Sequence, residues 1–80
     1  MTLTKAIQKR IKDLCKERQI TVNKLSTISG MTQSTINNIF MRPEGKPTVS
    51  TIKKMCDGFG ITLGEFFSTV EFDGLEQEIK

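Results

Sequence analysis

Apolar positions near the start of the chain recur at helical spacing. Ala6, Ile7, Ile11, Leu14 and Cys15 line one face, and the stem of Arg18 continues it. This spacing predicts a helix over Thr4–Arg18, with Gln19–Ile20 as a connection. Thr21 is placed to cap a second helix, Val22–Ser29, whose apolar face is Leu25 and Ile28. Gly30 follows where a left-handed residue ends a helix. Thr32 is placed to cap a third helix reaching Phe40, with Ile36, Ile39 and Phe40 inward and Gln33, Ser34, Asn37 and Asn38 largely on the other side. Two prolines and a glycine within Arg42–Pro47 mark a loop. Thr48 or Ser50 then caps a fourth helix carrying Val49, Ile52, Met55, Cys56 and Phe59, ended by Gly58 and Gly60. Thr62 caps a short fifth helix with Leu63, Phe66 and Phe67. Beyond Ser68, the alternation Val70-Glu71-Phe72 suits a short strand, and Leu75–Ile79 suits one or two helical turns. The pattern predicts an all-α, five-helix domain over residues 1–68 and a C-terminal extension over 69–80.

Composition narrows the class. Eighty residues make one domain, and a core of this size buries only about 60% of the unfolded surface. The 36% hydrophobic and 26% charged content is that of an ordinary globular chain. There is no apolar run of membrane-spanning length and no signal-like segment at the start, so the expected location is cytoplasmic. Cys15 and Cys56 with no histidine do not make a zinc site. They are expected to be reduced, buried thiols, with no metal and no cofactor. The chain contains no histidine, GxSxG, P-loop or Cys–His pair, which argues against an enzyme. Charge is segregated. Residues 1–24 carry seven Lys/Arg against Asp13 and Glu17, whereas residues 61–80 carry five acids against Lys80. One end favours polyanions and the other repels them.

The informative stretch is Thr21–Phe40. Two short helices joined by Ser29-Gly30-Met31 have the form of a helix-turn-helix, in which the second helix enters a DNA major groove. That helix carries Gln33, Ser34, Asn37 and Asn38 without a charge among them. Amides both donate and accept, and pair bidentately with adenine N6 and N7. Asn, Ser and Thr are poor helix formers, so grouping them on one helix points to a use other than stability.

These residues resemble the phage-repressor helix-turn-helix family, of the Cro/cI or XRE type. The likeness rests on Leu25-Ser26, on Gly30-Met31-Thr32-Gln33-Ser34-Thr35-Ile36-Asn37, on Lys46-Pro47-Thr48-Val49-Ser50-Thr51-Ile52, and on Gly58-Phe59-Gly60-Ile61-Thr62-Leu63-Gly64-Glu65-Phe66-Phe67. With helix one included it spans about residues 5–68. The resemblance implies a lambda-repressor-like fold and a transcriptional regulator, most often a repressor. Gln33, Ser34, Asn37 and Asn38 would then read bases. Thr21 and Thr35 match positions that touch phosphate, and the start of helix four after Pro47 matches a phosphate-holding helix terminus. The chain departs from the family in three places. Cys15 and Phe40 stand where a buried Arg–Glu pair is frequent, which predicts that these two side chains touch. Val22 stands where a glutamine is frequent, so a brace for Gln33 is expected to be missing. The loop Met41–Pro47 is one residue longer than the common form.

The expected division of labour follows. Phosphate contacts come from Thr21, Asn23, Thr32, Thr35, Arg42, Lys46 and Thr48, with weaker long-range attraction from Lys9, Arg10 and Lys53. The partner is double-stranded DNA carrying a palindromic operator, bound by a homodimer whose half-sites lie about 34 Å apart. Phe66, Phe67, Val70, Phe72, Leu75 and Ile79 are more apolar residues than one small core should absorb, which makes the extension the candidate dimer surface. The competing class is a helical protein-interaction module, such as an antitoxin docking a partner protein.

Overall fold

The computed structural model describes residues 1–42 and 47–79. Within the described residues six helices follow one another: α1 Leu3–Glu17, α2 Val22–Ile28, α3 Gln33–Met41, α4 Val49–Phe59, α5 Leu63–Phe67 and α6 Val70–Asp73. Among the described residues there is no strand. Five of the six starts share one device. Thr2, Thr21, Thr32, Thr48 and Thr62 are extended N-caps whose hydroxyl oxygen accepts from the backbone N–H three residues on. Each occupies a donor the helix cannot satisfy itself, a contribution of about 0.5–2 kcal/mol. At α5 the cap is reciprocal, because the Glu65 carboxylate accepts from Thr62 N–H at 3.0 Å. Gly30 and Gly60 take φ of +66° and +75°, where a side chain is strained, and each turns the chain sharply out of a helix.

The core is one cluster drawn from α1 to α5. Ile11, Leu25, Ile36, Met55, Cys56 and Phe66 are fully buried at its centre. Cys15 belongs to it, and Phe40 packs half-buried against it with the Lys12 ammonium 5.3 Å from the ring centroid. An apolar Cys15 and Phe40 leave no lone charge in the core. Val49, expected in the core, is instead the first residue of α4 and 67% exposed.

α1 also serves as a polar brace. Gln8 Nε2 donates to Ile39 O near the end of α3 at 2.8 Å. Arg10 donates to Glu65 O and Phe66 O at the end of α5 at 2.8 and 2.7 Å. Arg18 Nε donates to Phe59 O at the end of α4 at 2.9 Å. Helices end with unpaired carbonyls and a partial negative charge, so a cation or amide donor there satisfies both. Arg10 spends these donors within the fold, on neutral carbonyls that leave its positive charge in place. Lys9 pairs with Asp13 at 2.6 Å and Glu71 at 2.9 Å, and Lys53 pairs with Asp57.

The extension departs from the sequence reading. Val70-Glu71-Phe72 forms the short helix α6, not a strand. A lone strand would leave its backbone groups unpaired. The helical turn instead gives Gly74 N–H the Val70 carbonyl at 3.0 Å and swings Phe72 onto Phe67, with ring centroids 4.9 Å apart. Phe66 and Phe67 are also edge-to-face at 4.9 Å. α6 packs on α1, where Glu71 meets Lys9. Leu75–Ile79 is not helical. A segment that short cannot offset helix nucleation without packing, and Leu75 alone is half-buried.

Candidate nucleic-acid interface

The site begins at the turn. α2 ends at Ser29, Gly30 adopts its left-handed conformation, and Met31 N–H returns to Ser26 O at 3.0 Å. The turn carries Thr32 to the start of α3, where its hydroxyl accepts from Thr35 N–H at 3.3 Å. Ile36 and Ile39 anchor α3 in the core at 0% and 5% exposure. With that face fixed, a period of 3.6 residues turns Gln33, Ser34, Asn37 and Asn38 outward, and all four are exposed. Ser34, Asn37 and Asn38 make no side-chain hydrogen bond among the described residues.

Gln33 is the exception. Its Nε2 donates to Asn23 Oδ1 on α2 at 2.5 Å. Val22, where the resemblance led us to look for a brace, is half-buried against the core. The brace comes instead from the next residue, correcting the expectation that none exists. Amides ten residues apart gave no local signal that they would meet; only the glycine turn brings them together.

A second group lies where α3 ends and α4 begins. Thr35, Asn38, Ile39, Arg42, Pro47, Thr48 and Thr51 line one cleft. Arg42 is exposed at the C-cap of α3. Thr48 caps α4 by accepting from Thr51 N–H, and the two hydroxyls lie 3.1 Å apart. Thr32 and Thr35 repeat the arrangement at α3 with hydroxyls 2.9 Å apart. In each pair one O–H donates to its neighbour and the other stays available to an outside acceptor such as a phosphate oxygen. Thr51 was missed from sequence, though its position three residues after the cap was the signal. Thr21 is exposed and accepts from Lys24 N–H at 3.0 Å. Asn23 is exposed as well, while Lys46 lies outside the described residues.

The expected dimer residues separate into two groups. Phe66 is fully buried, and Phe67 and Phe72 pack against the core of their own chain. Val70 and Ile79 are 81% and 88% exposed, and Phe67, Phe72 and Leu75 are each half-buried.

Two capped helices joined by a left-handed glycine, the second anchored by isoleucines and exposing its amide-bearing first turn, define a helix-turn-helix. The family model described as Helix-turn-helix matches residues 11–66, and the chain belongs to that family, the XRE-type, phage-repressor-like DNA-binding transcriptional regulators. It is similar to the HTH-type transcriptional regulator PuuR of Escherichia coli strain K12 and of Shigella flexneri, 30% identical over 63 residues in each case. That alignment takes in 79% of this chain, which spans about a third (34%) of the length of those curated relatives. Its fold is similar to the crystal structure of the prophage Lp1 protein 11, with a TM-score of 0.83 at 28% identity, covering 94% of this chain and 99% of that one. Among the described residues no helix is long and apolar enough to cross a membrane, and no cluster of His, Cys, Asp and Glu is set to hold a metal.

Proposed function

We propose that this chain is a sequence-specific reader of double-stranded DNA that acts as a repressor, with α3 in the major groove. The observation that carries the reading is the two-sided character of α3. Ile36 and Ile39 are locked in the core, while Gln33, Ser34, Asn37 and Asn38 stand exposed. Such a helix presents donors and acceptors at fixed positions, which base-edge recognition requires. Thr32, Thr35, Arg42, Thr48 and Thr51 beside it offer hydroxyls and a guanidinium to phosphates, with Thr21, Asn23 and Lys46 as further phosphate partners. These contacts set register and carry no sequence information.

One α3 reaches few base pairs, so the reading includes a homodimer on a palindromic operator with half-sites about 34 Å apart. Val70 and Ile79, with the half-buried Phe67, Phe72 and Leu75, supply the apolar surface for it, while Phe66 is fully buried within each protomer.

The test is selection from random duplexes, followed by salt titration of the recovered sequence. Gln33→Ala should cost about 1–3 kcal/mol at one base pair, whereas Arg42→Ala should weaken all sequences alike and reduce the salt slope by about 1. Equal losses on selected and random duplex for Gln33→Ala would remove the base-reading role.

A further inference from the structure

The positive charge of α1 is sorted between its two sides. Lys12 and Lys16 follow Lys5 by seven and eleven residues, close to two and three full turns, so the three lysines share one flank. All three are exposed and form no ion pair among the described residues. The acids of α1 are engaged elsewhere: Asp13 pairs with Lys9 at 2.6 Å, and Glu17 lies 3.9 Å from Arg18. α6 packs on the Lys9 side of α1, where Glu71 meets Lys9 at 2.9 Å. One side of α1 is thus neutralised, and the other keeps its lysines open.

Two contacts fix where the open flank lies. Gln8 Nε2 donates to Ile39 O at 2.8 Å, and the Lys12 ammonium stands 5.3 Å from the Phe40 ring centroid. Ile39 and Phe40 belong to the last turn of α3. The lysine flank therefore adjoins the C-terminal end of α3, whose C-cap is the exposed Arg42. A helix C-terminus carries a partial negative charge and repels a phosphate. A duplex backbone passing that end of α3 needs cations beside it, and α1 supplies them. Lys5 to Lys16 spans about 16 Å along the helix axis, a length over which one strand presents about five phosphates. Lysine suits that task, being a compact charge on a flexible stem that follows a phosphate without demanding a fixed geometry.

We propose that Lys5, Lys12 and Lys16 form a phosphate-binding surface on α1, which holds one strand of the duplex backbone beside the C-terminal end of α3. This rests on the reading of α3 as the helix in the groove. It enlarges the contact surface beyond the helix-turn-helix and the start of α4, and it gives the basic N-terminal segment a defined occupant. The competing occupant is the acidic C-terminal segment of a second copy, which carries Glu71, Asp73, Glu76 and Glu78. Adjacency to α3 favours the duplex.

The test uses the duplex selected by the wild-type protein, with binding read by fluorescence anisotropy across a salt series. Glutamine is nearly as good a helix former as lysine, so each Lys→Gln change removes charge and little else. Lys5→Gln, Lys12→Gln and Lys16→Gln should each reduce the salt slope by about 0.9, and the triple variant by about 2–3. Base preference should stay as in wild type, because phosphate contacts carry no sequence information. Copies of the duplex with single phosphates replaced by neutral methylphosphonate then locate the contacts. Wild type should lose affinity at a short run of neighbouring phosphates, and the triple variant should lose none there. A long-range field would give no such localised coupling. The proposal is overturned if the lysine variants leave the slope unchanged, or if no phosphate position couples to them; either result leaves Gln33→Ala free to alter base preference and α3 as the reader. It is equally overturned if the triple variant shifts the sedimentation of the DNA-free protein with the slope unchanged, which assigns the flank to a second copy. If Gln33→Ala alters no base preference at all, the reading of α3 fails, and the proposal with it.

Discussion

Gly58 should act as a spacer between the helix-turn-helix pair and the rest of the bundle, and Ser29 should decide how strictly. Gly58 is the penultimate residue of α4, and α4 packs on the end of α2 there. A Cβ at Gly58 would lie 2.7 Å from Ser29 Oγ, 3.2 Å from Ile28 Cγ1 and 3.4 Å from the Ile28 carbonyl carbon. The first distance is a clash and the second is tight. Replacing glycine by alanine within a helix gains about 0.5–1 kcal/mol from backbone entropy, while forcing a methyl into a packed contact costs about 1–3 kcal/mol. Gly58→Ala should therefore destabilise by about 1 kcal/mol, lowering Tm by about 4–8 °C in a domain this size. Ser29 changes the balance. Its hydroxyl is buried without a hydrogen-bond partner among the described residues, so Ser29→Ala should stabilise by about 1 kcal/mol on its own. It also removes the 2.7 Å contact. In that background Gly58→Ala should fall to between neutral and slightly stabilising, a coupling of about 1 kcal/mol. Urea unfolding of the four proteins measures this directly. If Gly58→Ala costs the same in both backgrounds, the steric argument is wrong. If Ser29→Ala destabilises, the hydroxyl has a partner and the balance fails at its first step.

Three other outcomes follow from the structure. Gln19 sits at φ +56° just after α1, where a side chain costs about 1–2 kcal/mol; Gln19→Gly should raise stability by about 0.5–1 kcal/mol in urea unfolding, after glycine's own entropy cost. The Glu71 carboxyl is held below its ordinary value of 4.5 chiefly by its hydrogen bond from Lys9. Because its folded value is the lower one, its contribution is present above the unfolded pKa and lost as pH falls through the folded pKa. NMR titration should find a midpoint below 4.5, and Glu71→Gln should flatten the acid side of the stability profile. Cys15 and Cys56 are 4% and 0% exposed, and burial pushes both thiols up in pKa. A thiol reagent should modify them at the rate of unfolding, not faster; prompt labelling of the native protein would contradict their placement.

Local chemistry determined much of this molecule in advance. Thr21, Thr32 and Thr62 marked helix starts because a capping hydroxyl acts within three residues of itself, and of the two candidates Thr48 and Ser50 the structure uses Thr48. Gly30 and Gly60 marked helix ends because only glycine takes positive φ freely, whereas Gly58, also read as an end, lies inside α4. Ile36 and Ile39 fixed which face of α3 turns inward, and so which amides turn out. What the sequence left open were pairings with distant partners. The basic N-terminal segment was legible as a charge excess, but not that Arg10 and Arg18 also close the ends of α5 and α4 or that Lys9 meets Glu71. The alternation at Val70–Phe72 was a fair strand signal, but without a second strand those backbone groups had no partner except one another, and they formed α6. Asn23 and Gln33 lie on separate helices, and nothing in the order of residues says that their amides meet. Caps, turns and periodicity are short-range, so the sequence by itself determined them. Charge pairing, tail packing and the brace on Gln33 join residues across turns or far apart in the chain, and only the tertiary structure decided them.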